Sequence, residues 1–371
     1  MQILLSLFYF FYFSIIGVYI IFMPKVLTMV GYSPSEVGII FAAGPLVRFL
    51  LPFAFTRGLK LNIRNFNIAL VVMLLSSIAF YFSIDNFYQL LLSNIGLGIG
   101  LSIILPYIEV ISLKIIGKER YGKIRLFGSV GFVLVALVLV KFLDGSHVAL
   151  NYLVSLSFTT AIVAFFIVRI IGSNEDRKEE HTVNDISLFS DWKLWLGLTL
   201  MQVSFGAFYN FFTIYETDAG VSLDMTIYLW SFGVIAEIFM LFFQGRLLRG
   251  NLLLILQITT FASAIRWFLI FAFPQNLVVL FFAQTLHALS FALFHSAAIS
   301  YLYHHYKHKA LAQQFFSGIT YGLGGFVGAL WAGYIYELFP RYLFLSVTFI
   351  ALMASWFIYM WNKDPRSNNL Q

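Results

Sequence analysis

Two oppositely charged residues lie deep in apolar sequence on either side of a glycine. Glu109 precedes Gly117 by eight positions and Arg125 follows it by eight, within PYIEVISLKIIGKERYGKIRLFGSVGF. Two antiparallel helices joined at this basic turn would place both charges about 10 Å inside it, at a rise of ~1.5 Å per residue. The pair could bind a polar solute, since charges inside apolar spans usually mark substrate or ion paths. It could instead be a fixed ion pair that holds two helices together.

A second group of charges, Glu237, Arg266 and His287, is predicted to share one depth on three consecutive helices. The midpoint between Glu237 and Arg266 falls at a basic turn, and the midpoint between Arg266 and His287 falls at the opposite turn, FPQN. Burial disfavours an ionised glutamate while a nearby arginine favours it, so Glu237 could take and release a proton near neutral pH. The alternative is a static buried network.

Four other ionisable residues lie in or near apolar segments: Arg48, His295, Glu216 and Lys25. Arg48 could extend to the membrane interface or face a cavity and meet a substrate carboxylate. His295 is expected to pack and form a local hydrogen bond. Glu216 and Lys25 are expected near solvent at the ends of apolar segments, and no role is assigned to them.

The elements that position these residues are long apolar helices. Hydrophobic residues make up 60% of the chain and charged residues 11%, whereas a soluble protein carries about 25% charged residues. The repeated apolar runs predict an all-α protein in a lipid bilayer, with twelve transmembrane helices. Their approximate limits are 3–28, 36–55, 66–84, 88–113, 122–143, 147–171, 192–216, 225–244, 251–273, 277–303, 314–338 and 342–361.

The charge distribution predicts the orientation. Most lysines and arginines lie in short turns on one side, which places both termini in the cytoplasm. The net charge of +6 is therefore a topology signal, and no nucleic-acid partner is expected. The chain has no cysteine, which excludes disulfides and thiolate metal sites.

One long polar segment divides the chain. Residues 172–191 read GSNEDRKEEHTVNDISLFSD, which predicts a solvated cytoplasmic linker in which His181 binds no metal. Two six-helix bundles, 1–171 and 192–371, would flank it. The charges Arg48 and Glu237 fall at similar places in the second helix of each bundle, and such internal similarity is typical of secondary transporters with a site between the halves.

The remaining glycine and histidine motifs do not indicate an enzyme. The glycines of IGLGIG lie in an apolar helix without a preceding strand, so they do not indicate a phosphate loop. His304 and His308 are four positions apart, but no glutamate lies between them and lysines surround them. No metal, cofactor or enzyme activity is expected.

Several motifs carry a resemblance to a known family. FFYFSIIGVYIIFMPKVL, SEVGIIFAAGPL, RYGKIRLFGSVGF, FYNFFTIYETDAG, YLWSFGVIAEI, IRWFLI and LHALSFALFH resemble segments of the phenylpropionate-permease and lactose-permease (oligosaccharide:proton symporter) branch of the major facilitator superfamily. The resemblance covers nearly the whole chain. It implies the major facilitator fold, a small-molecule substrate and a coupled proton. The oligomeric state is left open, with a monomer as the expectation.

The resemblance also implies roles for individual residues. Glu109 and Arg125 match an acid and an arginine that bind substrate. Glu237 is the counterpart of a glutamate that links substrate to proton, while Arg266 and His287 match residues that serve proton coupling.

The sequence departs from the lactose-permease pattern at several positions. Ser290 replaces the carboxylate that carries the proton there, so either Glu237 or Glu109 carries it here, or the coupling differs from that of lactose permease. Asn210 stands in place of an acid of the seventh helix. Phe132 aligns with an aromatic residue that stacks on substrate, and Tyr209 beside Asn210 is a further candidate substrate contact.

The leading hypothesis is a proton-coupled symporter that imports a small organic solute, such as an aromatic carboxylate, by alternating access. A sugar or nucleoside symporter on the same fold is the second hypothesis, and a non-transporting membrane sensor or scaffold is the third. An Arg48 that faces the cavity would favour an anion, whereas an Arg48 that faces lipid would favour a neutral solute. The sensor hypothesis predicts that Glu109 and Arg125 are sealed from solvent.

Overall fold

The computed structural model describes residues 1–142, 145–171, 190–306 and 309–368. Almost all of the predicted linker, including His181, lies outside this part of the chain.

The described residues form long helices joined mostly by short turns, which we number α1 to α12. Three of them, α1, α10 and α11, contain a π-helical stretch. The helices are α1 (Gln2–Gly17, π-helical Val18–Phe22 and Met23–Val30), α2 (Pro34–Thr56), α3 (Ile63–Phe82), α4 (Phe87–Ile116), α5 (Lys118–Phe142), α6 (Ser146–Ile171), α7 (Trp192–Asp218), α8 (Leu223–Phe243), α9 (Leu252–Ala272), α10 (Leu277–Thr285, π-helical Ala288–Leu293 and Phe294–His305), α11 (Lys309–Phe315, π-helical Phe316–Leu323 and Gly324–Leu338) and α12 (Leu343–Asn362).

Eleven of these helices are long and apolar enough to cross a membrane, as expected for a multi-pass membrane protein. The exception is α7, which has 27 residues and is therefore about 40 Å long. Its sequence includes polar residues that the packing buries, among them Gln202, Ser204 and Thr213. Because α7 lies inside the protein, it needs less apolar surface than a helix that faces lipid.

Each half of the chain packs mainly on itself. In the first half α1 packs on α5 and α6, and α3 packs on α4; in the second half α7 packs on α11 and α12, and α9 packs on α12. Two long contacts join the halves, one between α2 and α11 and the other between α5 and α8. The surface where the halves meet therefore runs through the middle of the molecule.

Glycines allow α7 to approach α11 closely. A Cβ atom at Gly206 would collide with the backbone of Gly328, and a Cβ at Gly328 would lie 2.6 Å from the carbonyl oxygen of Val203. A side chain at either position would therefore push the two helices apart. Small residues at such crossings are typical of helix packing in membranes.

We expect Gly206→Ala to destabilise the protein, because the added methyl group meets rigid backbone. Overpacking of this kind costs about 1–3 kcal/mol, which thermal unfolding in detergent, followed by tryptophan fluorescence, would show as a lower Tm. The matched control is Gly44→Ala in α2, where a Cβ would meet no atom within 4 Å. An unchanged Tm for Gly206→Ala would show that α7 and α11 are not held at this distance.

Polar contacts join the two halves at one end of the bundle, which we call the Asp218 end. Lys25 Nζ lies 3.1 Å from Asp218 Oδ1, and Lys141 Nζ lies 3.5 Å from Asp224 Oδ1. In addition, the amide of Ser35 donates to Glu337 Oε2 at 2.9 Å. These contacts hold the halves together where α1, α2 and α5 meet α7, α8 and α11.

The opposite end, which we call the Asp191 end, holds the ends of α7, α10 and α12 together. The Tyr306 hydroxyl donates to Asp191 Oδ2 at 2.6 Å, and Lys193 Nζ lies 2.9 Å from Asp364 Oδ2. Burial raises the pKa of Asp191. Hydrogen bonds from His305, Tyr306 and Ser190 lower it by more, so the pKa lies below its ordinary value. Asp191 is therefore an ionised anchor at neutral pH.

Candidate functional site

Glu109 and Arg125 face each other across the turn between α4 and α5, as predicted. Arg125 Nε lies 3.7 Å from Glu109 Oε1, and the Tyr121 hydroxyl donates to the same oxygen at 3.1 Å. The Arg125 guanidinium also lies 3.9 Å from the centre of the Phe13 ring of α1. The side chains of Arg125 and Glu109 are 31% and 33% exposed, so the pair is not sealed inside the protein.

Arg266 of α9 is fully buried and is held by α10. Its Nη1 lies 2.9 Å from His287 Nδ1, and its Nη2 donates to Gln284 Oε1 at 2.7 Å. The guanidinium also lies 4.1 Å from the centre of the Phe208 ring of α7. Because arginine can only donate, His287 Nδ1 must accept, and a neutral imidazole then carries its hydrogen on Nε2.

The free nitrogen of His287 points toward Glu237 of α8. His287 Nε2 lies 3.6 Å from Glu237 Oε2, and the Glu237 side chain is 14% exposed. The distance is longer than a hydrogen bond, but it leaves the carboxylate beside a potential donor. Glu237, Arg266 and His287 therefore form one connected group, as the depth argument predicted.

Glu237 also connects this group to the first half of the protein. Its carboxyl group lies within electrostatic range of Arg125, which in turn pairs with Glu109. The two charged groups predicted separately from the sequence therefore lie within electrostatic range of each other.

Arg48 faces the interior rather than the lipid. Its guanidinium acts electrostatically on the hydroxyl groups of Tyr12 in α1, Tyr209 in α7 and Tyr321 in α11. These tyrosines come from both halves and lie in the interior, yet the Arg48 residue is itself exposed. These electrostatic contacts with tyrosines of both halves favour the predicted alternative in which Arg48 faces a cavity.

Tyr321 of α11 belongs to this interior and was not predicted from the sequence. His295 Nδ1 lies 2.7 Å from the Tyr321 hydroxyl, so the local hydrogen bond expected for His295 crosses to the neighbouring helix α11. His295 also lies within electrostatic range of Arg125. The π-helical stretch of α11 contains Tyr321, and that of α10 begins directly after His287. Short π-helical stretches inside α-helices are frequent at functional sites.

The remaining candidate residues lie around the same interior. Phe132 of α5 faces Trp230 of α8, with ring centres 6.4 Å apart, and Tyr209 is within electrostatic range of Glu237 and Arg266. Asn210 donates to the Gly206 carbonyl oxygen of its own helix at 2.8 Å. Ser290 is fully buried, and its hydroxyl has no hydrogen-bond partner among the described residues.

The structure corrects the prediction for Glu216. The residue is 0% exposed, although the sequence analysis placed it near solvent, because helix α7 continues to Asp218 and the Asp218 end covers it. Lys25 is 25% exposed on its side chain and pairs with Asp218.

Outside this interior, the described residues contain no metal-binding cluster, and a groove between α8 and α10 is apolar. No group of three or more potential metal ligands occurs in the part of the chain that the structure describes. An apolar groove of ≈ 500 Å³ runs between α8 and α10 and includes Phe239, Met240 and Ala288. None of the charged candidate residues lines this groove.

Comparisons with known proteins agree with this architecture. The model of the MFS_1 like family matches residues 2–346. The chain is 28% identical to the "Probable 3-phenylpropionic acid transporter" of Escherichia coli (strain K12), over 94% of this chain and 95% of that protein. It is 26% identical to the "Uncharacterized transporter YwbF" of Bacillus subtilis (strain 168), over 86% of this chain and 83% of that protein.

Solved structures with the same fold include the nucleoside transporter NupG, with a TM-score of 0.80, 15% identity and coverage of 98% of this chain and 99% of that one. A bacterial homologue of the human lysosomal transporter Spinster has a TM-score of 0.67 at 15% identity, with coverage of 98% and 96%. These relatives and structures are transporters rather than enzymes, and the family match confirms the resemblance found in the sequence. The chain therefore belongs to the MFS_1 like family, and with it to the transporters of the major facilitator superfamily.

Proposed function

We propose that the protein is a proton-coupled symporter that imports an aromatic carboxylate resembling 3-phenylpropionate by alternating access. In this proposal α7 completes twelve membrane spans, and residues 1–171 and 192–371 are two bundles around a cytoplasmic linker. The Asp191 end and both termini face the cytoplasm of a bacterial-type cell, because the basic turns lie on that side.

The position of Arg48 is the main reason for proposing an anionic substrate. It faces an internal space, and no ion pair of Arg48 occurs within the described ranges, whereas Arg125 is paired with Glu109. An uncompensated cation inside a membrane protein is costly. A substrate carboxylate would supply the missing charge.

The other candidate residues provide complementary contacts for such a substrate. Arg125 and Glu109 offer a donor and an acceptor to polar groups. Phe132, with Trp230 beside it, offers aromatic surface for a ring. Tyr209 and Asn210 lie on the facing helix α7, so a solute held between Arg48 and Phe132 would touch both halves.

Glu237 is the proposed proton carrier. It is a carboxyl group between the neutral His287 and Arg125, and its protonation changes the charge of the interior by one unit. Inward movement of one positive charge is favoured by about 2.3 kcal/mol per 100 mV of membrane potential. Transport of an anion with one proton moves no net charge. The membrane potential then contributes nothing, so the pH gradient alone would drive accumulation.

The conformation supports an inward-facing state. The polar contacts of Lys25, Lys141 and Glu337 join the halves at the Asp218 end, while solvent reaches Glu109 and Arg125. This exposure also argues against a sensor or scaffold, for which the pair should be sealed.

A sugar or nucleoside symporter is the second candidate function. The nucleoside transporter NupG has the same fold, but at 15% identity this likeness concerns the fold alone. A neutral solute would leave Arg48 without a counter-charge, so the interior favours the aromatic carboxylate.

The choice of substrate class is tested by Arg48→Gln. Losing a charge-assisted hydrogen bond of about 1.5–3 kcal/mol should raise the KM for 3-phenylpropionate about 10- to 100-fold. The measurement is uptake of radiolabelled 3-phenylpropionate into proteoliposomes over a range of substrate concentrations.

The matched control is Arg64→Gln, which removes one positive charge from an exposed position at the end of α3. It should leave the KM unchanged. An unchanged KM in Arg48→Gln as well, with full uptake, would exclude Arg48 as the carboxylate contact and favour a neutral substrate.

A further inference from the structure

Glu216 is a buried acid that the proposed substrate site does not use. Its side chain belongs to α7, two residues before Asp218, and the residue is 0% exposed. Neither carboxyl oxygen has a hydrogen-bond partner among the described residues. An ionised carboxylate without any partner is strongly disfavoured in such surroundings. The conformation with a closed Asp218 end therefore requires a proton on Glu216.

The position of Glu216 places it on the route between the site and the Asp218 end. Tyr209 precedes it by seven residues, which is nearly two full turns of helix, so both side chains lie on the same face of α7 about 10 Å apart. Tyr209 is within electrostatic range of Glu237. In the other direction, Glu216 acts electrostatically on Tyr336, whose hydroxyl donates to Asp218 at 2.8 Å.

Within the described ranges no charged neighbour compensates Glu216. Titratable or charged side chains also occur on α7 itself, on the elements that pack against it and on the turn after α11, but none forms a hydrogen bond or ion pair with Glu216 in the described structure. They are Tyr215 and Asp218 of α7, Lys25 of α1, Glu36 of α2, Asp224 of α8, His287 of α10, Tyr336 and Glu337 of α11, and Arg341 of the turn after α11.

We propose that Glu216 is a second proton-binding site, separate from Glu237, whose proton keeps the Asp218 end closed. When this end opens, water reaches the carboxyl group and accepts its proton. The resulting carboxylate opposes closure, because closure would remove an ionised group from water. The inference rests on the alternating-access part of the proposed function, but it requires neither the substrate nor Glu237.

The test is the distance between spin labels across the Asp218 end, measured without substrate in lipid nanodiscs over a range of pH. The chain has no cysteine, so labels can be placed by Tyr88→Cys in α4 and Val278→Cys in α10, which are both 80% exposed. In the otherwise unaltered protein, the fraction with a long label distance should rise as pH rises. Glu216→Gln should keep the short distance at every pH, because the amide cannot ionise.

Two further variants complete the test. Glu216→Asp keeps an acid and should retain a pH response, while Asp85→Asn removes an exposed carboxylate near the same end and should behave as the unaltered protein. A pH response in Glu216→Gln equal to that of the unaltered protein would overturn the proposal, and so would the absence of any response in the unaltered protein. Failure to transport 3-phenylpropionate, with the label response intact, would refute the proposed substrate and leave Glu216 as a proton site.

Discussion

Glu237→Gln should reduce proton-driven uptake of 3-phenylpropionate to the level of empty liposomes. Glutamine has nearly the same shape as glutamate but cannot bind or release a proton, so a pH gradient can no longer drive accumulation. Exchange of internal for external substrate at equal pH should persist, since exchange requires the site to change sides but requires no net proton movement. The measurements are gradient-driven uptake and counterflow in the same proteoliposome preparation.

Asp85→Asn is the matched control, because it removes an exposed carboxylate outside the interior. It should retain both activities. Full gradient-driven accumulation in Glu237→Gln would show that another group carries the proton. Glu109, the alternative carrier that the resemblance leaves, and Glu216 would then be the next residues to test.

Arg266→Ala should be the most destabilising single substitution among the interior charges. The side chain is fully buried, holds His287 and Gln284 by hydrogen bonds and packs over the Phe208 ring. Its removal leaves Gln284 and His287 without their donor and opens a cavity beside the ring. Each buried acceptor left without its donor costs about 1–3 kcal/mol, and thermal unfolding in detergent would detect the loss.

Arg169→Ala provides the comparison for Arg266→Ala. Arg169 is exposed near the end of α6, and surface substitutions usually change stability by less than about 0.5 kcal/mol. Equal Tm values for the two variants would contradict the view that Arg266 holds α7, α9 and α10 together.

Local sequence spacing was sufficient to predict contacts between neighbouring helices. Glu109 and Arg125 flank a single turn, so equal spacing from Gly117 implied equal depth, and the structure brings them together. The same reasoning over two turns grouped Glu237, Arg266 and His287. In each case short connections force antiparallel packing, so chain position translates directly into depth.

Contacts between the two halves could not be obtained in this way. Arg48 and Tyr321 lie far apart in the chain and meet only because α2 packs along α11. The sequence therefore left the orientation of Arg48 open, and it gave no signal for Tyr321 or for the bond from His295. The depth of Glu216 was misjudged because the other half of the protein closes over the end of α7.

The proposed transport mechanism requires that a pH gradient drives an aromatic anion through this interior. The most direct measurement is uptake of radiolabelled 3-phenylpropionate by proteoliposomes containing the unaltered protein, with and without an alkaline interior, beside a disaccharide and a nucleoside. If the proposed mechanism is right, only 3-phenylpropionate accumulates above its external concentration, and only when the interior is alkaline. Gradient-driven accumulation of the disaccharide or nucleoside alone, or uptake of 3-phenylpropionate that ignores the gradient, would contradict it.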